Sequence, residues 1–212
     1  MKITRYAHAT MLVEVDGARI LIDPADMGMP DWTDLSKLDG VIITHDHFDH
    51  INIEGLKKLL GVNPELQICA DVSASKLLTE AGLKHQTLNP GDKLEIAGVA
   101  VEANGGQHAH VHPTLPPMAN IGIMIADRFY FPGDSYDLPD RPVDVLALPT
   151  SGPWAKLEET IDFLIAVKPK STFPTHDGLH SVPAAFHPRI EQFAKQHAIE
   201  YLELAPGDSH EF

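Results

Sequence analysis

Cysteine is almost absent from this chain. The single one in 212 residues is Cys69, in Gln67-Ile68-Cys69-Ala70, so no internal disulfide framework can form and the residue reads as a buried strand position. Long apolar runs are missing as well. No stretch approaches the length needed to span a bilayer, and residues 1–8 lack the apolar core of a signal peptide, so the expectation is a cytoplasmic protein with no membrane partner. Positive charge is scarce: 16 Lys and Arg stand against 30 Asp and Glu, a formal net charge of −14, and no segment gathers the basic residues into a stripe. Neutralising a phosphate backbone needs such a surface, which makes nucleic acid an unexpected partner. Linkers and internal repeats are also absent. The proline-rich patches at 113–117 and 139–142 are short and lie between strand-like segments, so they read as loops, and the length suits one domain over residues 1–212.

Histidine, by contrast, is plentiful, with 13 in the chain. Residues 45–50 read His45-Asp46-His47-Phe48-Asp49-His50 and follow the apolar run Gly40-Val41-Ile42-Ile43-Thr44. Imidazole and carboxylate are the side chains that bind borderline divalent metals, and a turn at the end of a strand aims residues two apart at one ion. His45 and His47 would share a metal, while Asp49 and His50, one step further round the turn, would face a neighbouring position. A two-metal shell needs more donors than six residues hold, and these follow downstream. After the alternating stretch 99–103 come His108, His110 and His112, of one parity in an extended chain and so all candidates for a ligand. After 128–131 comes Pro132-Gly133-Asp134, and after 171–173 comes Pro174-Thr175-His176. Four times a short apolar or β-branched strand is followed by a turn and a metal-type ligand.

Those segments resemble the metallo-β-lactamase-fold hydrolase superfamily. The chain is most similar to its small, widespread branch of metal-dependent hydrolases, which includes ascorbate-phosphate lactonase-like proteins. The resemblance starts at Tyr6-Ala7-His8-Ala9-Thr10 and Ile20-Leu21-Ile22-Asp23-Pro24 and ends after His176. It implies a four-layer αββα sandwich, of which periodicity alone supports only mixed α and β. It also implies that His45, His47 and a later His, taken as His108 ahead of His110 and His112, hold one divalent metal. Asp49, His50 and His176 would hold a second, with Asp134 bridging. Zinc is the expected ion, with manganese, iron and nickel as alternatives. No cysteine lies near a ligand segment, which argues against the antibiotic-hydrolysing activity of lactamases that use one.

Two dications roughly 3.5–4 Å apart would lower the pKa of a shared water, so that hydroxide attacks a small ester, lactone, amide or phosphoester. Asp49 would be catalytic as well as ligating, orienting that water. His8, Asp23 and Asp46 are candidates for fixing imidazole tautomers, and Trp154 and His180 for lining the pocket. The alternatives are a di-iron redox protein, which calls for a flavin domain not seen in this sequence, and a non-catalytic metal-binding protein.

Elsewhere the pattern predicts a hairpin over 11–15 and 18–22 around Asp16-Gly17, helices at 51–60 and 73–81, strands near 84–88, 93–96, 99–104, 121–126, 128–131 and 144–148, and helices at 156–167 and 183–197.

Overall fold

Strands 11–15 and 18–22 form the predicted hairpin, with Asp16 (φ +48°) and Gly17 (φ +89°) supplying the two left-handed residues that a tight turn demands. In the computed structural model, which describes residues 1–27, 31–179, 182 and 185–212, this hairpin lies within the first of two seven-stranded sheets. That sheet runs β14 (Ser209–Glu211), β1 (Lys2–Ala7), β2 (Thr10–Val15), β3 (Ala18–Ile22), β4 (Gly40–Ile43), β5 (Gln67–Ala70), β6 (Gln86–Thr87). Pairing is antiparallel from β14 to β3 and parallel from β3 to β6. The second sheet runs β13 (Glu200–Tyr201), β12 (Ser171–Thr175), β11 (Val145–Pro149), β10 (Phe129–Phe131), β9 (Gly122–Ile125), β8 (Val99–Asn104), β7 (Lys93–Ile96). It is antiparallel from β7 to β10 and parallel from β10 to β13. Each parallel half is connected through helices: α1 (Ile53–Val62) and α2 (Val72–Glu80) in the first sheet, α3 (Leu157–Val167) and α4 (His187–Gln196) in the second.

Side-chain parity makes the layers. Ile20, Ile22 and Ile42 point into the space between the sheets, where they meet Ile123, Ile125, Phe129, Phe131 and Phe173. Their neighbours Leu21, Val41 and Ile43 point the other way, onto Leu56 and Leu59 of α1 and Leu78 of α2. In the second sheet Tyr130, Leu146 and Leu148 likewise face Phe163 and Leu164 of α3 and Ile190 of α4. Both faces of the central strands are therefore covered, which is why they are apolar runs rather than alternating ones. The architecture is the αββα sandwich.

Several boundaries differ from the sequence expectation. The first helix begins at Ile53 because the Asn52 side chain accepts the Gly55 N–H and caps it. The last begins at His187 rather than 183, with Pro188 in its first turn, where the missing N–H costs nothing; of the expected start, residues 183 and 184 lie outside the described residues. Strand β14 carries little apolar signal, yet it pairs with β1, and Phe212 N–H donates to Met1 O at 2.7 Å.

Gly40 of the first sheet packs directly against Ile96 of the second. A Cβ there would lie 2.7 Å from Ile96 Cδ1 and 2.8 Å from its Cγ2. Gly40→Ala is expected to cost about 1–3 kcal/mol by overpacking. In urea unfolding, adding Ile96→Ala should recover part of that loss, so that the double variant falls short of the sum of the singles.

Candidate metal centre

Each side chain of the centre lies beyond the C-terminal end of a strand, and both sheets contribute. From the first sheet come His8 after β1, Asp23 after β3, and residues 45–50 after β4. From the second come His108 after β8, Asp134 after β10 and His176 after β12. The 45–50 segment is curled by His50 N–H and Ile51 N–H both donating to His47 O, at 2.9 and 3.2 Å. Asp134 is presented by Gly133 (φ +65°), where a Cβ would collide with Asn120, whose Oδ1 accepts the Asp134 N–H at 3.0 Å. His176 has φ +62°, and its N–H donates to His8 O at 3.2 Å, joining the sheets.

The imidazoles are held by their Nδ1 atoms. His50 Nδ1 lies 2.6 Å from Asp23 Oδ2 and can only donate to it. His108 Nδ1 lies 2.6 Å from Ala109 O and donates likewise. Thr44 Oγ1 gives its proton to Asp23 Oδ2 at 2.7 Å, so it accepts from His45 Nδ1 at 3.0 Å. His176 Nδ1 lies 3.2 Å from Thr175 Oγ1, so on the other sheet too a ring nitrogen meets the hydroxyl of the preceding threonine. With Nδ1 carrying the proton, His45 and His108 turn the Nε2 lone pair inward, as His50 does once its second proton is displaced.

Two sets result. His45, His47, His108 and Asp134 form one, and His8, His50 and His176 the other, each with its ligand atoms within 4.8 Å of one another. Asp134 stands between them. Its Oδ1 is 2.5 Å from His176 Nε2 and 3.2 Å from His50 Nε2, while Oδ2 is 3.2 Å from His108 Nε2 and 3.8 Å from His45 Nε2. Asp49, expected as a ligand, is buried beside the second set with Oδ2 3.1 Å from His8 Nε2.

The donor set suits cations. His50 Nε2 and His176 Nε2 face each other at 3.1 Å, a spacing natural for two ligands of one ion, and His45 Nε2 is buried with no hydrogen-bond partner among the described residues. Electrostatics agree. Burial alone would raise the Asp134 pKa, but His176 and His50 hold it well below the usual carboxylate range. Burial would lower His50, yet Asp134 and Asp23 push it well above the usual imidazole range. His45 falls well below, chiefly through burial and then through its neighbour His50. Against its own burial, Asp49 is brought down to about 2 by the His8 hydrogen bond and by His50.

Of the residues named from sequence, the structure gathers His8, His45, His47, His50, His108, Asp134 and His176, with Asp23, Asp49 and Trp154 hydrogen-bonded to them. Asp46, His110 and His112 are exposed and stand outside both ligand sets, and His108 is the residue of its trio that is brought in. His180 lies outside the described residues. Sequence reasoning passed over Thr44, Thr175 and Asn120. It also passed over Arg5, buried and ion-paired with Asp177, the neighbour of His176. The repeated pair Thr44-His45 and Thr175-His176, each at a strand end, is a signal that could have marked both threonines.

Two packed sheets, helices outside and a histidine-lined junction at one end define a metallo-β-lactamase-type protein. The profile of the family described as Beta-lactamase superfamily domain matches residues 2–176, and the chain belongs to that superfamily. Protein Rv0786c of Mycobacterium tuberculosis is 35% identical over 184 residues, covering 84% of this chain and 85% of its own. A UPF0173 metal-dependent hydrolase of Aeropyrum pernix is 27% identical, with all of this chain and 97% of that protein covered. Igni18, a metallo hydrolase from the archaeon Ignicoccus hospitalis, shares the fold with a TM-score of 0.76 at 21% identity, covering all of this chain and 98% of its own.

Asp23 touches no candidate ligand atom facing the centre, yet it orients two imidazoles, one directly and one through Thr44. Asp23→Ala should weaken zinc binding about 10–100-fold in chelator competition, and Asp46→Ala should leave it unchanged. The raised His50 pKa adds a pH dependence. Held up by Asp134 and Asp23, the second proton on His50 is one that a cation must displace. Apparent zinc affinity should therefore rise with pH until the pH passes that raised pKa, and level off beyond it.

Proposed function

We propose that this protein is a hydrolase that cleaves a small ester, lactone, amide or phosphoester at a dinuclear metal centre. The observation that carries the proposal is the convergence of four tethered imidazoles on the two oxygens of one buried carboxylate. His45, His47 and His108 would hold one cation and His50 and His176 the other, with Asp134 giving one oxygen to each. The hydrogen-bonded pair His8–Asp49 closes the second set. Zinc fits a shell of imidazole and carboxylate. Such cations lower the pKa of water and draw charge from a carbonyl or phosphoryl oxygen.

The chain's own groups supply the rest. Asp49, ionised, accepts a hydrogen bond from the attacking water and turns its lone pair toward the substrate, and His8 Nε2 fixes that carboxylate in turn. In the reaction the water oxygen forms the new bond to carbon or phosphorus. The bond to the leaving oxygen or nitrogen breaks, and the leaving atom takes up the proton released. Donors from both sheets hold these groups in place before substrate arrives, which is the preorganisation that electrostatic catalysis needs.

Elemental analysis of protein purified without added metal should give two metal ions per chain, and His47→Ala should lower that number together with turnover. A panel of chromogenic ester, lactone and phosphodiester substrates supplies the activity readout. A fully loaded protein inert toward the whole panel would favour the metal-binding alternative.

A further inference from the structure

Trp154 follows β11 in the segment Thr150-Ser151-Gly152-Pro153-Trp154 and is buried, 6% exposed. Its Nε1–H donates to Asp134 Oδ2 at 3.0 Å. We infer that Trp154 is a positioning residue of the metal centre, its indole N–H fixing which oxygen of Asp134 serves which set of imidazoles. This rests on the dinuclear reading above.

A carboxylate turns about its Cβ–Cγ bond over a broad range, and its two oxygens are chemically equivalent. One fixed donor on one oxygen removes that freedom. Among the described residues the other ring nitrogen this close to Oδ2 is His108 Nε2 at 3.2 Å, which, with the His108 proton on Nδ1, offers a lone pair rather than a hydrogen. An indole N–H only donates, and it binds no cation. Trp154 therefore keeps hold of Oδ2 whether or not the centre is filled, with Oδ1 left to His50 and His176.

The local structure is built around this contact. Thr150 N–H donates to Thr175 O at 3.0 Å, and Ser151 Oγ donates to His176 O, so the segment is docked on the His176 strand. A Cβ on Gly152 would lie 2.7 Å from Trp154 Nε1, which means that glycine leaves the space in which the N–H reaches Asp134. The ring is steadied edge-on by Tyr136 at 5.2 Å and lies 5.8 Å from the His108 ring and 6.2 Å from that of His176. Tyr136 is in turn hydrogen-bonded to Thr160 at 2.7 Å. Simple packing would explain the burial, but not an N–H aimed at the most central carboxylate.

Trp154→Phe keeps the ring and drops the donor. Chelator competition with zinc should show one of the two equivalents weakened about 10–100-fold, and the cobalt-loaded variant should differ in its visible absorption from cobalt-loaded wild type. Trp154→Gln, which restores an N–H, should recover part of the affinity. Because these variants can fail to fold, a second measurement leaves Trp154 in place: Trp32→Phe makes it the only tryptophan of the original two, and its emission should change as zinc fills the metal-free protein. Unchanged affinity and cobalt spectrum in Trp154→Phe, or unchanged Trp154 emission on zinc filling, would overturn the inference. Failure of the dinuclear reading looks different, since wild type itself would then not take up two equivalents. None of these readouts depends on turnover.

Discussion

A single buried carboxylate, Asp134, is the point on which the structure turns. Placing an ionised carboxyl in the interior is costly unless charge or hydrogen bonds answer it. Here four Nε2 atoms lie within 3.8 Å of its oxygens, and an indole N–H lies within 3.0 Å. Satisfying it draws groups from β4, β8, β12 and the segment after β11 to one place. Those groups are far apart in sequence and sit on two sheets, so the centre exists only when the sheets are stacked in register.

That requirement explains the position of the apolar core. Ile22 and Ile42 from one sheet and Phe131 and Phe173 from the other end in the same inter-sheet layer. Each of those strands continues into a residue of the centre or its support: Asp23, the 45–50 turn, Asp134 and His176. Interiors packed to crystal-like density transmit small shifts, so the inter-sheet core sets the spacing of the donors. The hydrogen bond from Ile121 N–H to Thr44 O at 3.0 Å couples the two halves beside the centre itself. Packing and chemistry share one set of strand ends.

Much of this is legible in the sequence because its periodicities are clean. Strands 93–96 and 99–104 are found at the predicted limits, and Asp16-Gly17 marks its hairpin. The ligand segments are legible since each follows an apolar run directly. Other parts obey no local rule. Nothing in Ser209-His210-Glu211 announces a strand, because its pairing with β1 at the opposite end of the chain is what makes it one. The same holds for Trp154: a tryptophan at a strand-to-helix junction reads as packing, and only three-dimensional placement shows where its N–H points. His8 is intermediate. Its segment is visible near the start of the chain, yet its hydrogen bond with Asp49 depends on a turn at φ +49° folding back toward the 45–50 loop.

The protonation pattern ties these levels together. Without a cation, positive charge facing Asp134 comes from protons on imidazoles, and His50, lying between Asp134 and Asp23, has its proton held by both. His45, equally buried and with its Nδ1 on a neutral hydroxyl, is driven the other way by burial and by His50. Two neighbouring histidines on one turn therefore differ because Asp134 and then Asp23 raise one, while burial and the other histidine lower its neighbour. A proton on His50 answers the buried carboxylates but leaves the His45 lone pair facing Asp134 with no partner. Dications at the two sets would answer both at once, releasing that proton as they bind. The chain's net charge of −14 favours the same exchange at long range, drawing cations toward a surface that has few of its own.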